Sequence, residues 1–219
     1  MSQQLLQILG MGLAVLLLIG GIALNQARRS NSKSDARQAM ASRNGWSHAA
    51  DVEGQQWRIT GTFGDTAFVA EAQRPRHDSP LGEILANRTR LVAQLAGPGI
   101  RIAPAGLPTV PGAGDLLSLV AGDAAKRLGS APVVAAVGRF GERYEVRTED
   151  VEAARRLLDE RLQAALLSVA ERWPGSPPIV TWLDGVLTIS VGQDLDHAAD
   201  VEAFLKVART VVESARAAR

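Results

Sequence analysis

The chain has 219 residues, 46% of them hydrophobic and 4% aromatic, enough apolar mass for one ordinary domain and too much for a disordered chain. It has no cysteine, which excludes disulfide staples, thiolate metal sites and thiol nucleophiles together. The net charge is +1, but Arg28, Arg29, Lys33, Arg37 and Arg43 bunch together against the single acid Asp35. The rest of the chain is therefore mildly acidic and offers no footprint for nucleic acid.

Residues 1–4 form a short uncharged tail. From Ile8 to Leu24 no side chain is polar, and residues 5–24 would span about 30 Å as a helix, the thickness of a bilayer's hydrocarbon core. A cleaved signal peptide would need a positive start, a shorter apolar core and small residues before the cut. Met1–Gln4 carries no charged side chain, and Leu24-Asn25-Gln26-Ala27 is a poor cleavage site, so a retained transmembrane helix is expected. All five flanking cations follow the span and none precedes it. The flanking-charge rule then puts the C-terminal part on the cytoplasmic side.

Residues 25–45 are polar and without a sustained apolar face, and they read as a basic tether with a helical turn near Ala36–Ser42. Residues 46–219 form the soluble domain. Its first feature is a hairpin, with Trp57, Ile59 and Phe63 on one arm, Gly64-Asp65 as the turn, and Phe68, Ala70 and Ala72 on the other. The alternation Thr89, Leu91, Ala93, Leu95 predicts a further strand. Gly97-Pro98-Gly99 then turns the chain into Ile100–Pro104 to continue an antiparallel meander. The Pro- and Gly-rich stretch 103–114 is a connection, and 115–129 is a short helix interrupted at Gly122.

Phe140, Glu142, Tyr144 and Val146 alternate as one strand face. Thr148 is the expected N-cap of a helix running to about Trp173, with Val151, Ala154, Leu158, Leu162, Ala165 and Val169 as its apolar stripe. Residues 179–191, turning at Asp184-Gly185, carry the strongest hairpin signal of the chain. A second amphipathic helix starts near Asp196, with Val201, Phe204, Ala208, Val211 and Ala215 facing inward. The expected fold class is α+β: a transmembrane helix, then one domain of mostly antiparallel sheet with two long amphipathic helices.

No motif of established chemistry occurs. Gly112 and Gly114 lack the preceding strand and third glycine of a dinucleotide loop. His48, His77 and His197 are scattered. Asp194–His197 could hold a cation, but its place before a helix makes capping the simpler role. Arg74–Asp78 could grip an anion and reads as a solvated loop. Glu149, Asp150, Glu152, Asp159 and Glu160 read as a solvated helix face. Trp57, Trp173 and Trp182 belong to apolar patterns and are assigned to the core, whereas Trp46 would sit at the membrane interface or latch the first strand. Asn87-Arg88-Thr89 has the form of a glycosylation sequon, which matters only for a eukaryotic luminal domain. Arg outnumbers Lys by 21 to 3, which points instead to a high-GC bacterium.

The layout of anchor, basic tether, Gly45-Trp46, a Trp57-x-Ile59-x-Gly61 hairpin and the Phe140-to-Leu158 strand-to-helix stretch resembles bacterial single-span membrane-anchored proteins of uncharacterised function. The resemblance implies the anchored α+β architecture and carries no catalytic, cofactor-binding or metal residues. The expected role is a membrane-anchored cytoplasmic interaction or scaffolding domain at the bacterial inner membrane, non-enzymatic and without a cofactor, that binds a protein partner. Its membrane contact would be residues 5–24, flanked by Arg28, Arg29, Lys33, Arg37 and Arg43. The alternatives are an envelope-side ligand-binding domain and, less favoured, an enzyme with an unrecognised site.

Overall fold

The computed structural model describes residues 31–50, 55–73, 89–105, 128, 131–134, 136 and 138–218. The apolar run 5–24, Arg28, Arg29, His77, Arg74–Asp78, Gly112, Gly114 and Asn87-Arg88 lie outside them. Among the described residues no helix is long and apolar enough to cross a membrane.

The first element among the described residues is a helix, α1, over residues 31–43, where a tether with a single helical turn near Ala36–Ser42 was expected. Lys33, Arg37, Met40 and Ala41 recur at helical spacing on its inner side, and Met40 and Ala41 are fully buried. Half of this stripe is charged, so it does not read as an apolar face in the sequence.

Strands β1 (Ser47–Ala50), β2 (Gln55–Phe63), β3 (Thr66–Gln73) and β4 (Thr89–Gln94) form the expected antiparallel meander. It does not continue into β5 (Ile100–Pro104). The hairpin of β8 (Ile179–Leu183) and β9 (Val186–Val191) inserts between the two, with β4 against β9 and β8 against β5. Beyond β5 come β7 (Tyr144–Thr148) and the two-residue edge strand β6 (Val133–Val134). The full order is β1-β2-β3-β4-β9-β8-β5-β7-β6, antiparallel throughout.

Two residues set the central hairpin. Asp184 (φ 52°) and Gly185 (φ 79°) both take the left-handed conformation, as a type I′ turn requires to match the twist of its strands. Residues 95–99 carry the chain past that hairpin rather than turning it back. Gly97 lies against the face of Trp182, whose indole N–H donates to the Leu95 carbonyl at 2.6 Å.

The other helices among the described residues are α2 (Gly138–Arg143), α3 (Val151–Leu157), α4 (Glu160–Arg172) and α5 (Ala198–Ala217). The expected strand face from Phe140 is thus helical up to Arg143. Phe140 stacks on Tyr144 at 5.0 Å, and Gly141 passes so close to the Ala136 carbonyl that no side chain would fit. The single long helix expected before Trp173 is two. Asp150 caps α3 by accepting from Ala153 N–H, and Asp159 opens α4 by accepting from Leu162 N–H at 2.6 Å. Thr148, expected to cap, is buried instead. Its hydroxyl donates to the Gly99 carbonyl at 2.8 Å and accepts from Asp150 N–H at 2.9 Å, tying β7 to the crossover.

One face of the sheet and the helices share a single core. Trp57, Ile59, Leu91, Leu187 and Val180 meet Leu162, Leu166, Phe204 and Val211 there. On the other face Leu128 and Ala131 come over Leu183 as a small separate cluster. Further along it Glu71 lies between Arg58 and Arg90, its partners across β2 and β4.

Candidate functional site

A group of buried and half-buried polar side chains lies where α1 and β1 meet the turn that precedes α5. Helical spacing puts Lys33 and Arg37 on the same side of α1. Both bind Asp196: the Lys33 ammonium contacts one carboxylate oxygen, and Arg37 Nη1 donates to the other at 2.6 Å and to the Asp196 carbonyl. Arg37 is only 5% exposed. The turn is held from the sheet side as well. Trp57 Nε1 donates to the Leu195 carbonyl at 3.1 Å, and Leu195 N–H donates to Thr89 Oγ1 at 3.0 Å.

This arrangement splits the two carboxylates of the turn. Burial pushes the Asp196 carboxyl up, but hydrogen bonds from Lys33 and Arg37 outweigh it and hold the group below its ordinary value. Burial raises Asp194 and the Asp196 charge adds to that rise, against a hydrogen bond from Gln56 and the fields of Arg37 and Lys33. His48 stands opposite Ile59 in the β1–β2 register, on the face that the core uses. Its imidazole is pushed down by burial and then by Arg37. Arg37 Nε, His48 Nε2 and Asp194 Oδ1 are buried without a hydrogen-bond partner.

The other expected residues are placed as follows. Arg43 is exposed near the end of α1. His197 is the N-cap residue of α5, but its side chain makes no capping bond, and Asp196 is engaged by α1 rather than by helix N–H groups. Trp57, Trp173 and Trp182 are in the core. Trp46 packs edge-on against Phe63 and Phe68, over Gly61, so it fastens the start of β1 to the hairpin. Glu152 pairs with Arg155 on the surface, while Asp150 and Asp159 are caps.

Among the described residues no group of three or more His, Asp or Glu could hold a metal ion. A groove of about 520 Å³ lies at the β6 edge, walled by Val133, Val134, Ala136, Val151 and Leu158 with Arg155, Glu160 and Gln163. A smaller polar recess of about 100 Å³ lies between α2 and α4, beside the Arg139–Glu171 ion pair. Comparison with family models, curated proteins and solved structures finds no match for the chain.

Sequence reasoning missed the pairing of α1 with the 193–197 turn. The signal that could have found it is Lys33 and Arg37 at i and i+4, followed on the same side by Met40, with an acidic pair far downstream.

Proposed function

We propose that the chain is a single-span, membrane-anchored module that holds its α+β domain on the cytoplasmic side of a bacterial inner membrane, where it binds and positions a protein partner. The anchor reading rests on the apolar run 5–24 and the cations that follow it. The observation that carries the rest is the docking of α1. Helix α1, described from residue 31 onward, is clamped to the domain through Arg37 and Asp196 and buries Met40 and Ala41. A domain fastened this close to its anchor sits at a short, defined offset, which suits positioning a partner better than a loose leash does.

Topology is the first test. The cysteine-free chain accepts single cysteines at Ser42 on α1 and at Ala217 near the end of α5, both exposed. Spheroplasts are treated with a membrane-impermeant maleimide. Protection of both sites until lysis supports the cytoplasmic reading, and labelling before lysis overturns it. Proximity labelling against an anchor-only control then tests the partner: no reproducible enrichment would sink the scaffold role.

The β6 groove favours a second reading, a ligand-binding domain on the envelope side, since its apolar walls and three polar rim residues have the make-up of a small-molecule site. Early maleimide labelling, with protection of Val133 and Val151 from a hydrophobic photoprobe by an added ligand, would favour it.

A further inference from the structure

We propose that α1 is a releasable latch: it closes on the 193–197 turn at neutral pH and comes off when the joint beneath it takes up a proton. The inference concerns the domain alone and holds whether or not residues 5–24 cross a bilayer.

The apolar hold of α1 is slight. Of its described residues only Met40 and Ala41 bury apolar side chains, whereas α5 buries Val201, Phe204, Leu205, Val211 and Val212 among others. The third buried side chain of α1 is the charged Arg37. Among the described residues four buried side-chain atoms lack a hydrogen-bond partner, and three of them, Arg37 Nε, His48 Nε2 and Asp194 Oδ1, belong to this joint. Each is penalised while the joint is closed and is hydrated when it opens. Rehydration of these three atoms therefore offsets part of what opening α1 costs in lost contacts. Regions with that balance separate before the core does.

The charges supply the trigger. From α1, Lys33 and Arg37 face the joint. From the turn before α5 come Asp194 and Asp196. From the sheet come His48 on β1 and the neutral Gln56 on β2, with the apolar Ile59 opposite His48. With a neutral imidazole, two cations meet two carboxylate positions. A proton on His48 adds a third cation next to Arg37 and repels the helix that carries it.

His48 is depressed when α1 is closed, so the closed state favours the neutral ring. That contribution is complete above pH 6.5, the ordinary histidine value, and is lost as pH falls below it. Asp194 works in the opposite sense, because its raised value means that the closed state favours its protonated form. His48 is therefore the opening group and Asp194 the moderating one.

The test is hydrogen exchange on the full chain in detergent micelles at pH 7.5 and 5.5, corrected for intrinsic rates. One proton can raise the opening constant by up to about tenfold per pH unit. Protection across residues 31–43 should thus fall several-fold at pH 5.5, while α5 is unchanged. His48→Gln should abolish the fall. Asp196→Asn, which keeps His48 and removes the anion holding Lys33 and Arg37, should leave residues 31–43 weakly protected at both pH values. The proposal is overturned if α1 protection is the same at both pH values, if it falls equally in His48→Gln, if it falls together with α5, or if Asp196→Asn leaves it intact.

Discussion

Arg37 and Asp196 stand 159 positions apart in the chain, and their guanidinium and carboxylate meet at 2.6 Å. Arg37 is nearly enclosed, while the Asp196 side chain is one-third exposed. Such a pair lies between a surface bridge, which contributes little, and a buried one, whose disruption strands a charge. We expect Arg37→Leu and Asp196→Asn each to destabilise the domain by about 1–3 kcal/mol. The double variant should lose clearly less than the two together, because the second removal strands nothing further. Urea denaturation of the four chains measures this. Strict additivity would mean that the pair is incidental.

Trp182 sets a tight steric limit at Gly97. A Cβ on Gly97 would lie 1.8 Å from the Trp182 Cζ2 atom, and the ring is held by its bond to the Leu95 carbonyl. Gly61→Ala makes the matching clash with Trp46 at 2.2 Å, yet Trp46 is only partly buried and can swing outward. Gly97→Ala should therefore cost about 3 kcal/mol or more and Gly61→Ala less than half of that. Gly97→Ala combined with Trp182→Leu should recover part of the loss. Thermal unfolding ranks the three.

How much of this could be read beforehand depended on how local the cause was. The 179–191 hairpin was legible because Asp184-Gly185 dictates its own turn, and β4 was legible from alternation alone. The α+β class and the core tryptophans followed from the same patterns. What escaped had its cause elsewhere in the chain. Phe140 to Val146 alternates like a strand, yet two glycines and contact with Ala136 wind its first half into α2. Asp159 looked like a surface acid until a helix had to start there. Arg37 was counted among five membrane-flanking cations, since nothing near it in sequence shows the carboxylate 159 positions away.

Thr148 tests whether a buried hydroxyl holds the β5–β7 junction. It bonds both the Gly99 carbonyl and the Asp150 N–H at zero exposure. Thr148→Val keeps the shape, strands the Asp150 N–H and leaves the Gly99 carbonyl with its bond from Glu149 N–H at 3.2 Å, with an expected loss of about 1–2 kcal/mol. Thr148→Ser should retain most of the stability. If the valine variant is as stable as the serine one, the bonds are replaceable by water.

Asp194 and Asp196 are two residues apart and should respond to the same substitution with opposite signs. Asp196 is depressed when folded. Its contribution is complete above the ordinary carboxylate value of 3.8 and is lost as pH falls below it, so Asp196→Asn should be destabilising at pH 7 and should flatten the acid limb of the stability curve. Asp194 is raised, chiefly by burial. Its charged form weakens the fold, and the stability present below pH 3.8 is lost as pH rises through the raised value. Asp194→Asn mimics the protonated form while keeping an oxygen for the Gln56 bond, so at pH 7 it should stabilise by up to about 1 kcal/mol, solvent screening of this half-buried group setting the ceiling. Denaturation midpoints at pH 7 and pH 3.5 decide the matter. Destabilisation of both asparagine variants at pH 7 would mean that the Asp194 charge is needed by Arg37 and Lys33, and that its burial costs less than their attraction returns.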